Sequence, residues 1–323
     1  MLLIRLLLAS ILIVSLVCVQ TVHSQESQTG LAFVESEAGI FDFDTGVVRG
    51  RLQADGRHQG IVSLVDVETG TELVHGAGAM SLYRVFSGST RFGDAARGWP
   101  CESSLQDDGS VELHFPANET HPMTIDARFV WSSPDAFDLE LSVVSEQAVP
   151  DFELFLSSYF ANDMKGAVYV RPNYFAFGEP EMLPTDVNPM VDGAYLAFPR
   201  DDEAVRKIFD GRWDQPPHPV QWAITRRYAG AMATRHCEAS GVTVVMAAPV
   251  EDCFAVLLPY DKTPPDGPSS HASLYLSLFG TDLEPGETSV ARSRLSIGRN
   301  MTDEEVIERY QAYISDRIAR NEQ

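Results

Sequence analysis

Cysteine is scarce in this chain of 323 residues, which contains four, and Cys18 lies in an apolar N-terminal run. The remaining Cys101, Cys237 and Cys253 are odd in number, which excludes a complete disulfide framework. Cys237 and Cys253 fall on neighbouring predicted strands and could form one disulfide, although two buried thiols fit equally well. The chain has no Cys-x-x-Cys and no His-Glu-x-x-His, so we predict no metal and no cofactor.

The chain also lacks the glycine motif of dinucleotide-binding folds, the nucleophile elbow of hydrolases and an excess of positive charge. Gly76-Ala77-Gly78 has no third glycine and no following helix, and Gly88-Ser89-Thr90 does not complete a Gly-x-Ser-x-Gly elbow. The 24 basic residues face 46 acidic ones, a net charge of −22. Because phosphate binding depends on clustered cations, this composition argues against a nucleic-acid partner and against an anionic membrane surface.

The N-terminus is the one long apolar run. Arg5 precedes Leu6–Val19, and the small residue Ser24 follows shortly after, a pattern typical of a signal peptide over residues 1–24. A membrane span needs about 20 apolar residues, so an uncleaved anchor is the alternative. We expect cleavage after Ser24, a secreted or periplasmic protein of residues 25–323, no membrane span after cleavage, and a monomer.

Short apolar segments and turns alternate through the rest of the chain. Many strands at close spacing, with no shift in composition, predict one all-β domain built as a sandwich or barrel. The segments that read as strands are 47–53, 60–67, 81–86, 111–115, 123–131, 137–144, 152–160, 168–171, 194–198, 220–224, 229–237, 242–247, 254–259, 273–278 and 288–297.

One long helix is predicted over residues 302–320. Thr302 and Glu305 have the spacing of a capping box, and the acidic first turn suits the helix dipole. An apolar stripe at helical spacing should pack on the sheet; it comprises Val306, Tyr310, Tyr313, Ile314 and Ile318. Residues 201–209 could add one or two helical turns.

The segment Gly60–Val74 carries the most specific pattern in the chain. A strand rich in branched residues leads into a turn where Gly70 can adopt a positive φ, and a second strand is expected from Glu72. This segment resembles the opening strands of galactose-mutarotase-like domains, and Leu283–Glu287 resembles the turn before their last strand. The resemblance implies an antiparallel β-supersandwich that binds carbohydrate in a cleft. In that family the second turn is structural, so Glu287 receives no catalytic role.

Three proline-bearing segments interrupt the strand pattern at 178–192, 214–219 and 261–270. Long connections in a domain of short turns are often functional. On a sandwich they would gather at the edges of the concave sheet, where a glycan could lie.

Three clusters combine aromatic rings with arginine, as sugar sites do when rings meet the apolar side of a pyranose and guanidinium groups meet hydroxyls or carboxylates. The first holds Tyr83–Phe86, where strand alternation places Tyr83 with Val85 on one face and Arg84 with Phe86 on the other. The candidate substrate-binding residues of the three clusters are Arg91 and Trp99, Arg171, and Arg212, Trp213 and Trp222. The alternative is that the tryptophans are core residues and the arginines are partners of surface acids.

Catalysis is less constrained by the sequence. His218 and Tyr174 are candidate bases for a glycan lyase, in which arginines would neutralise a uronate. A glycosidase needs two carboxylates, and no pair stands out among the acids; the epimerase motifs of the family are not recognisable. Three functions stay open: a secreted enzyme that processes oligo- or polysaccharides, a non-catalytic glycan-binding module, and a secreted structural or interaction protein that retains the fold. In the first two, the candidates from Arg171 to Trp222 should meet across a concave sheet.

Overall fold

The structure is a computed structural model that describes residues 31–161, 163–172, 178–185, 195–224, 226–259 and 272–321. The predicted signal peptide, Tyr174 and the segment 261–270 lie outside the described residues. Within them, no helix is long and apolar enough to cross a membrane.

Strands dominate the described chain, in agreement with the all-β prediction. They are β1 Val34–Glu37, β2 Ile40–Asp44, β3 Val48–Gln53, β4 Gly60–Asp66, β5 Ser81–Ser87, β6 Thr90–Arg91, β7 Glu102–Leu105, β8 Val111–Phe115, β9 Met123–Ser133, β10 Ala136–Ser145, β11 Val149–Phe160, β12 Lys165–Val170, β13 Glu181–Pro184, β14 Tyr195–Pro199, β15 Trp222–Ile224, β16 Tyr228–His236, β17 Val242–Ala247, β18 Cys253–Pro259, β19 Ala272–Leu283 and β20 Thr288–Arg299.

These strands form three sheets. The orders are β1-β2-β3-β4, β13-β12-β16-β17-β20-β10-β9-β8-β7, and β15-β14-β18-β19-β11-β5-β6. Neighbours are antiparallel except β14 and β15, which pair in parallel. The architecture is the all-β sandwich of mainly antiparallel sheets that the sequence predicted.

One core joins all three sheets. Along β9 every second residue is buried, from Met123 to Trp131, and β11 contributes Leu154 and Leu156 to the same cluster. Because side chains alternate along a strand, the residues between these core positions point to the opposite face of the sheet. On the seven-stranded sheet, that opposite face carries a separate aromatic cluster.

A short helix and a turn cover part of this second face. Helix α1, Asp202–Ile208, begins at the N-cap Asp201, whose side chain accepts a 2.9 Å hydrogen bond from the Ala204 amide. A single helical turn, Arg212–Asp214, follows. The predicted short helix at 201–209 is confirmed, and it bounds the open part of the face.

The long helix, α2 Asp303–Asn321, covers the nine-stranded sheet instead. Its capping box forms as predicted, because the Thr302 amide donates to Glu305 Oε2 at 2.8 Å and the Glu305 amide donates to Thr302 Oγ1 at 3.3 Å. Tyr310 and Tyr313 pack on the sheet. Ile318 is 57% exposed, so its place in the apolar stripe was wrong: the contact with the sheet ends one turn earlier, at Ile314.

The predicted hairpin at 60–74 forms only in part. Gly70 has φ +68° and its amide donates to the Asp66 carbonyl at 2.8 Å, so the turn is confirmed. The prediction of a second strand from Glu72 is wrong, because Glu72 makes only an isolated β-bridge, to Val65. The chain then leaves for the seven-stranded sheet, where Val74 bridges to Phe160.

Cys101, Cys237 and Cys253 are free thiols. Cys237 and Cys253 are buried in the core, so the alternative of buried thiols is confirmed over a disulfide.

Candidate functional site

One pocket opens on the second face of the seven-stranded sheet, and a second pocket adjoins it at the β5–β6 edge of that sheet. The aromatic pocket, of about 300 Å³, is lined by Tyr83, Arg84, Phe155, Tyr159, Tyr195, Trp213, His218, Val220, Trp222 and Tyr275. The arginine pocket, of about 540 Å³, is lined by Arg57, His58, Tyr83, Arg91, Gly93, Asp94, Ala95, Arg97, Gly98, Trp99, Thr120, Pro217 and His218. Tyr83 and His218 belong to both. The two volumes lie in the range of about 300–1,000 Å³ typical of ligand sites.

A β-bulge places Tyr83 at the junction. Phe155 of β11 pairs with Arg84 while the next residue, Leu156, pairs with Leu82, so Tyr83 is the extra residue of β5. A bulge turns a side chain away from its alternating position. The prediction that Tyr83 shares a face with Val85 was therefore wrong: Val85 lies in the main core, whereas Tyr83 joins the aromatic cluster of the second face.

Aromatic rings form the floor of the aromatic pocket. Phe155 stacks on Tyr275 with ring centroids 4.8 Å apart, and Trp213 meets Phe155 edge-on at 4.6 Å. Trp213 and Trp222 are only 3% and 6% exposed, so most of their surface is used in packing. The partly exposed rings are those of Tyr83, Tyr159 and Tyr195.

Two arginines hold the loop that separates the pockets. Arg84 Nη2 donates to the His218 carbonyl at 2.7 Å, and Arg91 Nη1 donates to the Pro217 carbonyl at 2.8 Å. His218 is exposed and has φ +63°, a left-handed conformation that is uncommon outside glycine. The two bonds fix the backbone on both sides of the Pro217–His218 peptide and keep the imidazole at the junction.

Arg97 is stacked between two tyrosines. Its guanidinium carbon lies 4.6 Å from the Tyr83 ring centre and 5.2 Å from that of Tyr159. Arg84 stacks similarly, 5.0 Å from Tyr83 and 4.9 Å from Trp213. These cation–π contacts fix the planes of both guanidinium groups beside the pockets.

The positive charges in the arginine pocket lower the pKa values of groups beside them. Burial lowers the pKa of His58 below 6.5, and Arg97 and Arg57 lower it further. Burial also lowers the pKa of Arg91, with a second contribution from the charge of Arg84. The arginine pocket is an electropositive site in an acidic protein.

Arg212 lies beneath the aromatic pocket and not at its surface. It is fully buried, with Nη1 2.7 Å from Glu153 Oε2 and Nη2 2.7 Å from Asp210 Oδ2. Burial raises the pKa of Glu153 against the opposing effect of Arg212, and Ser277 donates a hydrogen bond of 2.7 Å to the same carboxylate. The role that we assign to Arg212 is therefore support of the pocket floor, in place of the predicted contact with substrate.

Arg171 lines neither pocket. It follows β12 at the edge of the nine-stranded sheet, where its Nε donates to the Tyr228 carbonyl at 3.0 Å and its carbonyl accepts from Arg226 Nε at 3.1 Å. Its side chain joins the ends of two strands, and Arg171 is not among the residues that line the pockets of His218 and Trp222. The partner predicted for it, Tyr174, lies outside the described residues.

The first and third predicted clusters do come together. Arg91 and Trp99 line the arginine pocket, Trp213 and Trp222 line the aromatic pocket, and His218 joins them. Pro217 and His218 of the segment 214–219 line the arginine pocket, and His218 also lines the aromatic pocket. In contrast, the described part of 178–192 contains β13, an edge strand of the other sheet.

The sequence did not point to several of the lining residues: Arg57, His58, Tyr159, Tyr195 and Tyr275. Arg57 and His58 lie in the connection between β3 and β4, where polar residues are ordinary turn residues. The tyrosines stand in strands, where an aromatic residue reads as core. Alternation from Phe155 could have placed Tyr159 on the same face, since the two residues are four positions apart.

Acidic groups are rare in the two pockets. Asp94 is the one carboxylate among the residues that line them, so the described part of the site offers no pair of carboxylates of the kind that glycosidases use. In the same part of the chain, no group of three His, Cys, Asp or Glu side chains is placed to hold a metal ion.

Two further pockets continue the row. One, of about 310 Å³, shares Trp213, Val220 and Trp222 with the aromatic pocket and includes Phe209, which is 61% exposed. The other, of about 750 Å³, shares Arg57, Gly98 and Trp99 with the arginine pocket. Each of the four pockets therefore shares lining residues with the next, and together they are called the row of pockets.

No protein-family model matches this chain, and no curated protein is similar to it in sequence. Among solved structures, a protein of Synechocystis sp. PCC 6803 matches with a TM-score of 0.51 and 12% identity, over 83% of this chain and 98% of the other. An Escherichia coli K12 protein described as a candidate aldose 1-epimerase matches with a TM-score of 0.48 and 12% identity, over 80% of this chain and 99% of the other. A GalM/aldose epimerase homologue of C. elegans matches with a TM-score of 0.43 and 10% identity, over 78% of this chain and 96% of the other. At these identities the likeness concerns the fold.

Proposed function

We propose that this protein binds a carbohydrate chain along the row of pockets, which begins on the seven-stranded sheet and continues past its β5–β6 edge. The observation that carries the proposal is the junction at Tyr83 and His218, where a floor of aromatic rings meets a wall of arginines. Rings bind the apolar faces of sugars, and guanidinium groups bind their oxygen atoms in forked pairs. Both kinds of group are held in place before a ligand arrives.

The ligand that fits best is an oligosaccharide and not a single sugar. A monosaccharide would occupy one of the two central pockets and leave the flanking ones unused. An oligosaccharide could place successive rings near Phe209, Tyr83 and Trp99, which lie in consecutive pockets. Affinity should therefore increase with chain length over the first few sugar units.

The proposal begins with binding, because the described pockets supply few groups for hydrolysis. The two central pockets contain one carboxylate, Asp94, and therefore lack the pair that the two-carboxylate mechanism needs; Asp214 and Asp55 line the two flanking pockets. His218 and the tyrosines are the groups placed to move a proton. Product analysis on every glycan that binds separates a processing enzyme from a binding module.

A glycan microarray probed with the purified protein tests the proposal. We expect at least one oligosaccharide to bind, and its affinity, measured afterwards by calorimetry, to fall when His218→Trp fills the junction. Arg49→Gln is the control, since Arg49 is exposed on β3 and lines none of the four pockets. Absence of binding to any glycan would contradict the proposal, as would equal affinity in the His218→Trp variant.

Export is a second part of the proposal, supported by the apolar run Leu6–Val19 and the small residue at position 24. Mass spectrometry of the protein recovered from its native compartment should find Gln25 as the first residue. Recovery of an intact N-terminus from a membrane fraction would contradict it.

A further inference from the structure

We infer that the ligand carries negative charge, as a carboxylate or sulfate group on the saccharide, and that this group is bound in the arginine pocket. The inference rests on the proposed function, since it names the class of saccharide that the same row of pockets takes. It is carried by four arginines that have no carboxylate oxygen within 4.0 Å among the described residues: Arg57, Arg84, Arg91 and Arg97.

Arginines elsewhere in the described chain show the contrast. Most of them have a carboxylate oxygen within 4.0 Å; they are Arg51, Arg128, Arg200, Arg206, Arg212, Arg226, Arg227, Arg292, Arg294, Arg299, Arg309 and Arg317. In a chain with 46 acidic residues, such pairing is expected. None of the four arginines of the pockets has such a partner among the described residues. Besides burial, the charge of Arg84 lowers the pKa of Arg91, and Asp94, which lies beyond 4.0 Å, offsets part of this effect.

Burial makes the lack of partners costly at Arg84. Its side chain is 1% exposed, and Nε and Nη1 are buried with no hydrogen-bond partner. Its remaining contacts are all neutral: Nη2 donates to the His218 carbonyl at 2.7 Å and to the Tyr83 hydroxyl at 3.4 Å, and the guanidinium group lies over two aromatic rings. A buried charge is normally paired with an opposite one, and cation–π contacts compensate only part of the lost hydration. An anion in the adjoining pocket would supply the missing opposite charge.

The arginine pocket has the composition of an anion site. Arg57, Arg91 and Arg97 line it together with His58, whereas Asp94, which is exposed, is its one acidic group. Arg91 Nε is buried and has no hydrogen-bond partner. The planar guanidinium fork binds a carboxylate or a sulfate through two parallel hydrogen bonds, a geometry that a neutral hydroxyl cannot match. The ring that carries the group would then lie against Tyr83.

The inference also explains how an acidic protein could bind an acidic glycan. The net charge of −22 repels a polyanion over most of the surface. Attraction is confined to the pocket, because charges separated by more than about 8 Å are largely screened at physiological salt. Non-specific binding is suppressed while binding at the pocket is retained.

The test uses an array of matched glycan pairs and the purified full chain. Uronic-acid oligosaccharides are printed beside their carboxyl-reduced forms, and sulfated oligosaccharides beside their desulfated forms. We expect the bound glycans to be acidic and their neutral counterparts to bind at least 10-fold more weakly. The arm that gives the signal, uronate or sulfate, identifies the anionic group.

Two variants locate the charge within the molecule. Arg97→Gln should weaken binding of the acidic glycan by about 10- to 100-fold, the effect of losing one charge-assisted hydrogen bond. Arg57→Gln, at an exposed position where no loss of folding is expected, should weaken it by a smaller factor. Arg49→Gln removes the same charge from outside the pockets and should change affinity less than twofold.

The outcomes separate this inference from the proposed function. If neutral glycans bind as tightly as their acidic counterparts, the charge inference fails while the carbohydrate function stands. If no glycan binds, the proposed function itself fails. Equal losses in Arg57→Gln and Arg49→Gln would show that net charge, and not the arginine pocket, governs affinity, and would overturn the inference.

Discussion

The outer faces of the two large sheets are built from similar parts but use arginine in opposite ways. Under helix α2, Arg294 lies 4.4 Å from the Tyr313 ring centre and also pairs with Asp138 at 2.6 Å. On the seven-stranded sheet, Arg97 lies between Tyr83 and Tyr159 without a carboxylate among the described residues. Stacking on tyrosine is common to both faces, and only the counter-charge differs.

This difference separates a structural surface from a candidate binding surface. The face under α2 is closed, since Arg309 and Arg317 also reach Asp135 and Asp252, at 2.7 Å and 3.2 Å. Its charges are neutralised within the protein. The face of the pockets is open and retains positive charge, which favours a role in binding an external anion. The predictions below test whether stability and binding divide between the two faces in this way.

The largest loss of stability should follow from breaking the buried ion pair between Arg212 and Glu153. Arg212→Met leaves Glu153 buried without its partner, which should lower the free energy of unfolding by about 3–5 kcal/mol. Urea denaturation at pH 7 measures the change. The double variant Arg212→Met/Glu153→Met removes both charges and should recover a large part of the loss; an unaltered midpoint in the single variant would refute this account of the floor.

Next in size is the loss of a tyrosine under α2. Tyr310 packs over Gly230, where an added Cβ would lie 2.4 Å from its ring. Tyr310→Ala leaves a cavity there and should cost about 3 kcal/mol of stability. Glycan affinity should stay the same, because the helix lies on the other sheet. Gln311→Ala, at an exposed position on the same helix, is the thermal control, and a parallel loss of glycan affinity in Tyr310→Ala would break the division between the faces.

A smaller effect is expected at the junction of the pockets. Tyr83→Ala removes a ring that lines both pockets and stacks on two arginines. Loss of one aromatic contact of about 1.4 kcal/mol corresponds to a tenfold loss of affinity. Tyr83→Phe should retain most of the binding in calorimetry. If Tyr83→Ala instead reduces the melting temperature as much as Tyr310→Ala, the ring belongs to the core and not to the site.

The smallest effect concerns pH. Burial, Arg97 and Arg57 hold the pKa of His58 below 6.5, so the unfolded chain takes up a proton before the folded one as pH falls. The contribution of His58 to stability is therefore fully present above pH 6.5 and is lost as pH falls from 6.5 toward the lowered pKa. An NMR titration should show this pKa rising when an acidic glycan binds, because the anion offsets the arginines. A pKa that does not change on binding would place the anion elsewhere.

The sequence predicted the fold well because its signals are local. Alternating strands, the Thr302–Glu305 capping box and the Gly70 turn each depend on residues a few positions apart. The prediction of the second strand of the first hairpin was wrong because a distant contact decides its structure: Val74 pairs with Phe160. No pattern within Gly60–Val74 could indicate that the chain changes sheets at this point.

The site was predictable only as clusters. Aromatic residues near arginines selected Trp99 and His218, which line the pockets, but the same signal selected Arg212, which pairs with Glu153 from β11. Whether an arginine has a carboxylate partner depends on contacts between distant strands. The bulge at Tyr83 is equally invisible, because it exists only in the pairing of β5 with β11.

The most direct test of the account is a crystal structure of the protein with the highest-affinity glycan from the array. We predict a sugar ring against Tyr83, an anionic group within hydrogen-bonding distance of Arg97, and further rings in the flanking pockets. A glycan bound on the face under α2, or on any surface away from Tyr83 and His218, would contradict the assignment of the seven-stranded sheet as the binding face.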